Sequence, residues 1–185
     1  PDETIDELHS IYVDQWDWEK IIKPAQRNLD TLRTTVEAIY DCIARTEFHL
    51  ASQYSSIRPV LPEKITFVTS ETLQQRWPGL YPKDRENRIC DEHGAVFVIG
   101  IGGRLADGKP HDGRAPDYDD WTTPNSEGGR GLNGDILIWN PVLKRAFEIS
   151  SMGIRVDPAT LRQQLEICSL PERLELDFHR RLMAG

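Results

Sequence analysis

The run Gly94-Ala-Val-Phe-Val-Ile-Gly-Ile-Gly102 is almost entirely apolar and is bounded by glycine. Its length and β-branched content read as a strand buried on both faces, since a half-exposed strand alternates and a helix is longer. The chain must therefore cover both sides of a sheet. After Pro24, Leu29, Leu32, Val36, Ile39, Ile43 and Leu50 recur near helical spacing. Arg58-Pro59 and Leu61-Pro62 close that helix, because a residue before proline is steered away from helical dihedrals. Residues 65–69 read as a short strand. Ser70 resembles a helix N-cap, and residues 84–92 carry a second helical piece.

Later in the chain, residues 135–140 and 146–156 read as two strands joined by a tight turn at Asn140-Pro141. Asp157-Pro158 starts a helix through Leu161, Leu165 and Cys168, with aspartate as cap and proline in the first turn. Leu174, Phe178 and Leu182 mark a last helix after Pro171. Strands and helices do not alternate strictly, and the late strands form a hairpin. The expected fold class is α+β, a mainly antiparallel sheet flanked by helices in one domain over 1–185. Residues 9–19 also read as a strand, but with polar residues on both of its faces.

The formal charge of −8, from 30 acidic and 22 basic side chains, argues against a partner bound through its phosphate backbone. Cys42, Cys90 and Cys168 lie far apart, which suits reduced thiols rather than a disulfide framework or zinc site. No apolar run has the length of a membrane span.

Gly100-Ile-Gly-Gly-Arg-Leu105 lacks the last glycine of a dinucleotide loop, and no P-loop lysine follows. A polar stretch of about thirty residues, 103–134, is long for a loop inside a domain, and such loops are functional or mobile. Its Asp112, Asp117, Asp119 and Asp120, with His111, lack calcium-loop or zinc spacing. Alternation puts Glu148 and Ser150 on one strand face, near Arg155. A Glu and an Arg there mean either a solvated edge strand or a liganded site, and Gln15 and Asp17 pose the same choice. Carboxylates and amides suit an ammonium group or Mg²⁺, and an arginine suits a carboxylate or phosphate. The residues alone lead to a small-molecule enzyme or binder, for an amino acid with a nucleotide.

Four extended motifs narrow this choice. They are Tyr12-Val-Asp-Gln-Trp-Asp-Trp-Glu19, Arg114-Ala-Pro-Asp-Tyr-Asp-Asp-Trp121, Gly131-Leu-Asn-Gly-Asp-Ile-Leu-Ile-Trp-Asn-Pro141 and Glu148-Ile-Ser-Ser-Met-Gly-Ile-Arg-Val156. In this order they resemble the ammonia-dependent asparagine synthetases. The resemblance implies a core like that of class II aminoacyl-tRNA synthetases, with 9–19 in its motif 2 hairpin. It also implies synthesis of L-asparagine from L-aspartate, ammonia and ATP through a β-aspartyl-adenylate, with Mg²⁺. By the same resemblance, Gln15, Asp17 and Asp119 contact the amino acid and carry catalysis, with Asp119 holding the ammonium. Ser151 lies near substrate, Glu148 near ATP and the metal, and Arg155 near phosphates or a structural carboxylate. Arg114 closes over the nucleotide, and Asp135 either orients the loop or touches ligand. A cytoplasmic homodimer that binds no nucleic acid or membrane is also implied. Family members extend past both ends, so 1–185 is expected to be an internal catalytic-core piece, inactive alone. The rivals are a tRNA-synthetase paralogue and a non-catalytic amino-acid binder.

Overall fold

The apolar run becomes strand β2 (Ala95–Ile99), and every one of its residues is buried. The structure is a computed structural model that describes residues 5, 7, 10–12, 14 and 17–184. Four strands, β1 (Thr66–Thr69), β2, β3 (Asn133–Asn140) and β4 (Arg145–Gly153), form one sheet in sequence order. β1 and β2 are parallel, joined by helices α2 (Ser70–Arg76) and α3 (Pro82–His93), the kind of crossover a parallel pair requires. The β2–β3 and β3–β4 pairs are antiparallel, so the sheet is mainly antiparallel and the fold is α+β.

Each face of β2 meets its own cover. Ala95, Phe97 and Ile99 pack with Ile136 against Leu29, Leu32, Val36 and Tyr40 of α1 (Leu29–Gln53). Those four helix residues are 3 or 4 apart, the stripe that a 3.6-residue period turns to one side. Asn28 caps α1 by accepting from the Thr31 amide at 2.9 Å. On the opposite face, Val96, Val98 and Leu137 meet Leu73 of α2 and Ile89 and Cys90 of α3. Burial pushes the Cys90 thiol up to about 12, helped by the Glu86 charge, so it serves as a packing group. A third cluster joins Val156, together with Leu161 and Leu165 of α4 (Pro158–Ile167), to Leu182 and Met183 of α5 (Asp177–Ala184).

Three expectations change. The cap of α2 is Thr69, whose hydroxyl accepts from the Thr72 amide at 3.0 Å. Ser70 is instead the first helical residue, and its buried hydroxyl donates to the Gly100 carbonyl at 2.7 Å. The described residues among 9–19 are in no strand, and Gln15 lies outside the described residues.

The third change decides the site. β3 and β4 pair Ile136 with Ser150 but Leu137 with Glu148, leaving Ile149 as the extra residue of a β-bulge. Glu148 and Ser150 therefore point to opposite faces. Glu148 shares its face with Ser151, whose partner on β3 is Asp135. Phe97 bridges the halves of the fold, fully buried between α1 and the sheet. Phe97→Ala should lower stability by about 3–5 kcal/mol, read from denaturant unfolding. A loss under about 1 kcal/mol would place the core elsewhere.

Candidate active site

The long polar stretch is not a free loop. Arg104 bridges to Pro110 and Pro124 to Arg130, so each half folds back on itself. Between them, residues 118–121 thread beside the end of β4. The Asp120 amide donates to the Ile154 carbonyl at 2.9 Å, and the Leu132 amide to the Asp120 carbonyl at 2.8 Å. Gln164 of α4, fully buried, fastens the thread from below. Its amide nitrogen donates to the Pro116 carbonyl at 2.8 Å and the Asp119 carbonyl at 3.0 Å.

Most of the loop's acids are committed to a cation. Asp112 pairs with Lys83 at 3.0 Å and Asp117 with Arg173 at 2.5 Å. Asp120 pairs with Arg27 and accepts from the Thr122 and Thr123 amides, both at 2.9 Å. Asp119 alone of these four carboxylates joins the cleft wall. That cleft, of about 1450 Å³, runs along β4 and is also lined by Asp17, Arg114, Glu148, Ser151 and Arg155. Gly153 makes room for Asp119, since a Cβ there would stand 2.7 Å from the carboxyl carbon.

Arg114 is the hub. Its guanidinium donates to Asp135 at 2.5 Å and to the Ser151 hydroxyl, and its Nε lies 3.8 Å from Asp119. Asp119 is held from the other side by Arg155 at 2.6 Å, while Arg155 also reaches Glu19 at 2.5 Å. The Arg155 guanidinium lies 3.4 Å over the ring centre of Tyr118. Burial raises both the Asp119 and Asp135 carboxyls, and the neighbouring arginines pull back against it. Glu148 opens onto the cleft, yet the cleft walls thin its hydration. Its carboxyl is pushed up to about 7, first by burial and then by the charge of Asp135.

Carboxylates with reserve acceptor capacity can take an ammonium group. Guanidiniums on the same wall can take a carboxylate or phosphate through their planar forks. The model of the aspartate-ammonia ligase family matches residues 1–185. The chain belongs to that family. It is a ligase of asparagine biosynthesis that joins ammonia to aspartate and uses ATP. Among the described residues, no helix is long and apolar enough to cross a membrane.

Of the residues that the sequence singled out, Asp17, Asp119, Ser151, Arg114, Glu148 and Arg155 line this one cleft. Asp135 lies beneath Arg114. Pattern reading passed over Arg27, Lys83 and Glu86, and it weighed His111 only as part of the acidic loop cluster. For Glu86 a signal existed: it stands one turn before Ile89 and Cys90, so it continues the apolar stripe of α3 into a place where a charge is buried.

The Glu148 shift gives a test. A carboxyl raised by folding contributes stability that is intact below its ordinary 4.5 and is lost as pH rises through about 7. Glu148→Gln removes that ionisation. Its melting temperature should gain on the wild type as pH rises from below 4.5 to above 7. A gap that stays constant across this window would contradict the shift.

Proposed function

We propose that the ligase works through a β-aspartyl-adenylate formed in this cleft. The β-carboxylate of aspartate attacks the α-phosphate of ATP and pyrophosphate leaves. Ammonia then attacks the acyl carbon, the C–O bond breaks and AMP departs with that oxygen. In-line transfer of this kind needs aligned reactants and neutralised charge more than covalent help from the protein. What supports the reading is one sheet face that holds buried Asp119 and Asp135, the guanidiniums of Arg114 and Arg155, and Glu148.

In this reading Asp119 accepts from the substrate ammonium, with Gln15 and Asp17 further contacts to the amino acid. The ammonium supplies positive charge where Arg114 and Arg155 now supply it alone. Ser151, already within reach of Arg114, steadies the substrate carboxylate. Arg114 and Arg155 face the phosphates. The class II synthetase-like core, the cytoplasmic homodimer and 1–185 as one catalytic-core domain rest on the sequence resemblance.

Mg²⁺ fits these residues as a companion of ATP rather than as a resident ion. Among the described residues, no group of three or more potential ligands gathers to hold a metal. Magnesium commonly takes one or two carboxylates and completes its shell with phosphates and water. Glu148, with Asp135 on the same face, is the carboxylate suited to that role. When bound, the ion would neutralise charge on the phosphates.

The oxygen balance tests the adenylate. Aspartate labelled with ¹⁸O in its β-carboxylate, given with ATP and ammonia to the full-length protein, should transfer one label to AMP. Label in inorganic phosphate with ADP as the other product would replace the adenylate with an acyl phosphate.

A further inference from the structure

Helix α3 buries a stripe made of Arg85, Glu86, Ile89 and Cys90. Ile89 and Cys90 pack beneath Val96, Val98 and Leu137. Glu86 lies one turn nearer the helix start and is only 5% exposed. It stands where the sheet face turns from Leu137 to Asp135 and Glu148, close enough that its charge helps raise both of those carboxyls. A carboxylate buried there is costly without a partner.

The partner comes from the active-site loop. His111, 2% exposed, places Nε2 at 3.0 Å from Glu86 Oε1. Lys83 Nζ reaches Glu86 Oε2 at 3.1 Å and Asp112 at 3.0 Å. Burial alone would lower the Lys83 ammonium, but the two carboxylates outweigh it and hold it above its ordinary value. His111 and Asp112 are thus fastened to one turn of α3. Only Gly113 separates them from Arg114. On the far side the loop is pinned again, by Gln164 at the Pro116 carbonyl. Between these two anchors Arg114 packs closely against Gly102. A Cβ added to Gly102 would stand 2.6 Å from the Cβ of Arg114.

We propose that His111 and Glu86 are positioning residues for the ligase, a buried pair that ties the active-site loop to α3 and so holds Arg114 against Asp135 and Ser151. The pair touches no substrate and acts through Arg114. The inference rests on the reading above in which Arg114 acts on substrate.

Steady-state kinetics of the full-length protein test it in a double-mutant cycle. His111→Ala should lower kcat/KM for aspartate by about tenfold and up to about 100-fold, the range that small misplacements cause. His111→Gln keeps an N–H donor near the Nε2 position and should restore most of that loss. In an Arg114→Ala background, His111→Ala should cost nothing further, because the group it positions is gone. A purely structural pair would instead give losses that add. Additive losses, or wild-type kinetics in His111→Ala, would overturn the proposal while leaving the role of Arg114 standing. Wild-type kinetics in Arg114→Ala would overturn both. Should His111→Ala not fold, the same cycle with the near-isosteric Glu86→Gln should show a smaller loss that also vanishes in the Arg114→Ala background. Additivity there overturns the proposal equally.

Discussion

Two buried carboxylates, Asp119 and Asp135, and the Arg114 guanidinium beside them form the interaction on which the site depends. Neither acid is stable as a lone buried charge, and removing one partner of such a set leaves the other uncompensated. Much of the surrounding architecture follows from keeping the three together. Arg155 closes the open side of Asp119, and Gln164 holds the backbone carbonyl of that residue. Asp112, Asp117, Asp120 and Glu127 are matched to Lys83, Arg173, Arg27 and Arg33, so the loop is fixed at four points by ion pairs. A long polar segment becomes ordered because its charges are satisfied one by one. Its apolar content is small: Leu105, Pro116 and Trp121 are its buried anchors between residues 103 and 131.

The β-bulge at Ile149 gives this cluster its outer rim. Without the extra residue, Glu148 would fall on the α1 side of the sheet, among Ile136, Phe97 and Leu32. With it, Glu148 joins Ser151 and Asp135 on the side that carries Arg114. The raised carboxyl of Glu148 is the electrostatic consequence, since it shares a face with another carboxylate under thinned hydration. A group in that state responds strongly to added positive charge, whether an ammonium or a cation carried on phosphates.

Much of the scaffold was legible in the residues. The apolar run at β2, the helix α1, the β3–β4 hairpin and the Asp157 cap all depend on local patterns and all form, although Leu50 of the expected stripe is exposed and β4 ends at Gly153 rather than at 156. The Asp157 carboxylate accepts from the Thr160 amide at 2.8 Å. What was not legible depends on partners distant in sequence. A period of two puts Glu148 with Ser150, and only pairing with β3 introduces the bulge. Thr69 and Ser70 carry equivalent hydroxyls, and the Gly100 carbonyl draws Ser70 away from capping. His111 reads as one more polar residue of the loop until α3 is docked and Glu86 meets it. The family resemblance named Asp119, Ser151, Arg114, Glu148 and Arg155 together. Periodicity could not have done so, since the five residues lie on two segments that meet only in the folded chain.

The central claim is that Asp119 holds the ammonium of the amino acid. The most direct measurement is calorimetric titration of L-aspartate into the full-length protein and its Asp119→Asn form, with melting temperatures confirming that both are folded. Loss of one charged hydrogen bond should weaken aspartate binding at least about tenfold, while ATP binding stays within about twofold. Equal aspartate affinity in the two proteins would contradict the account and remove Asp119 from the substrate site.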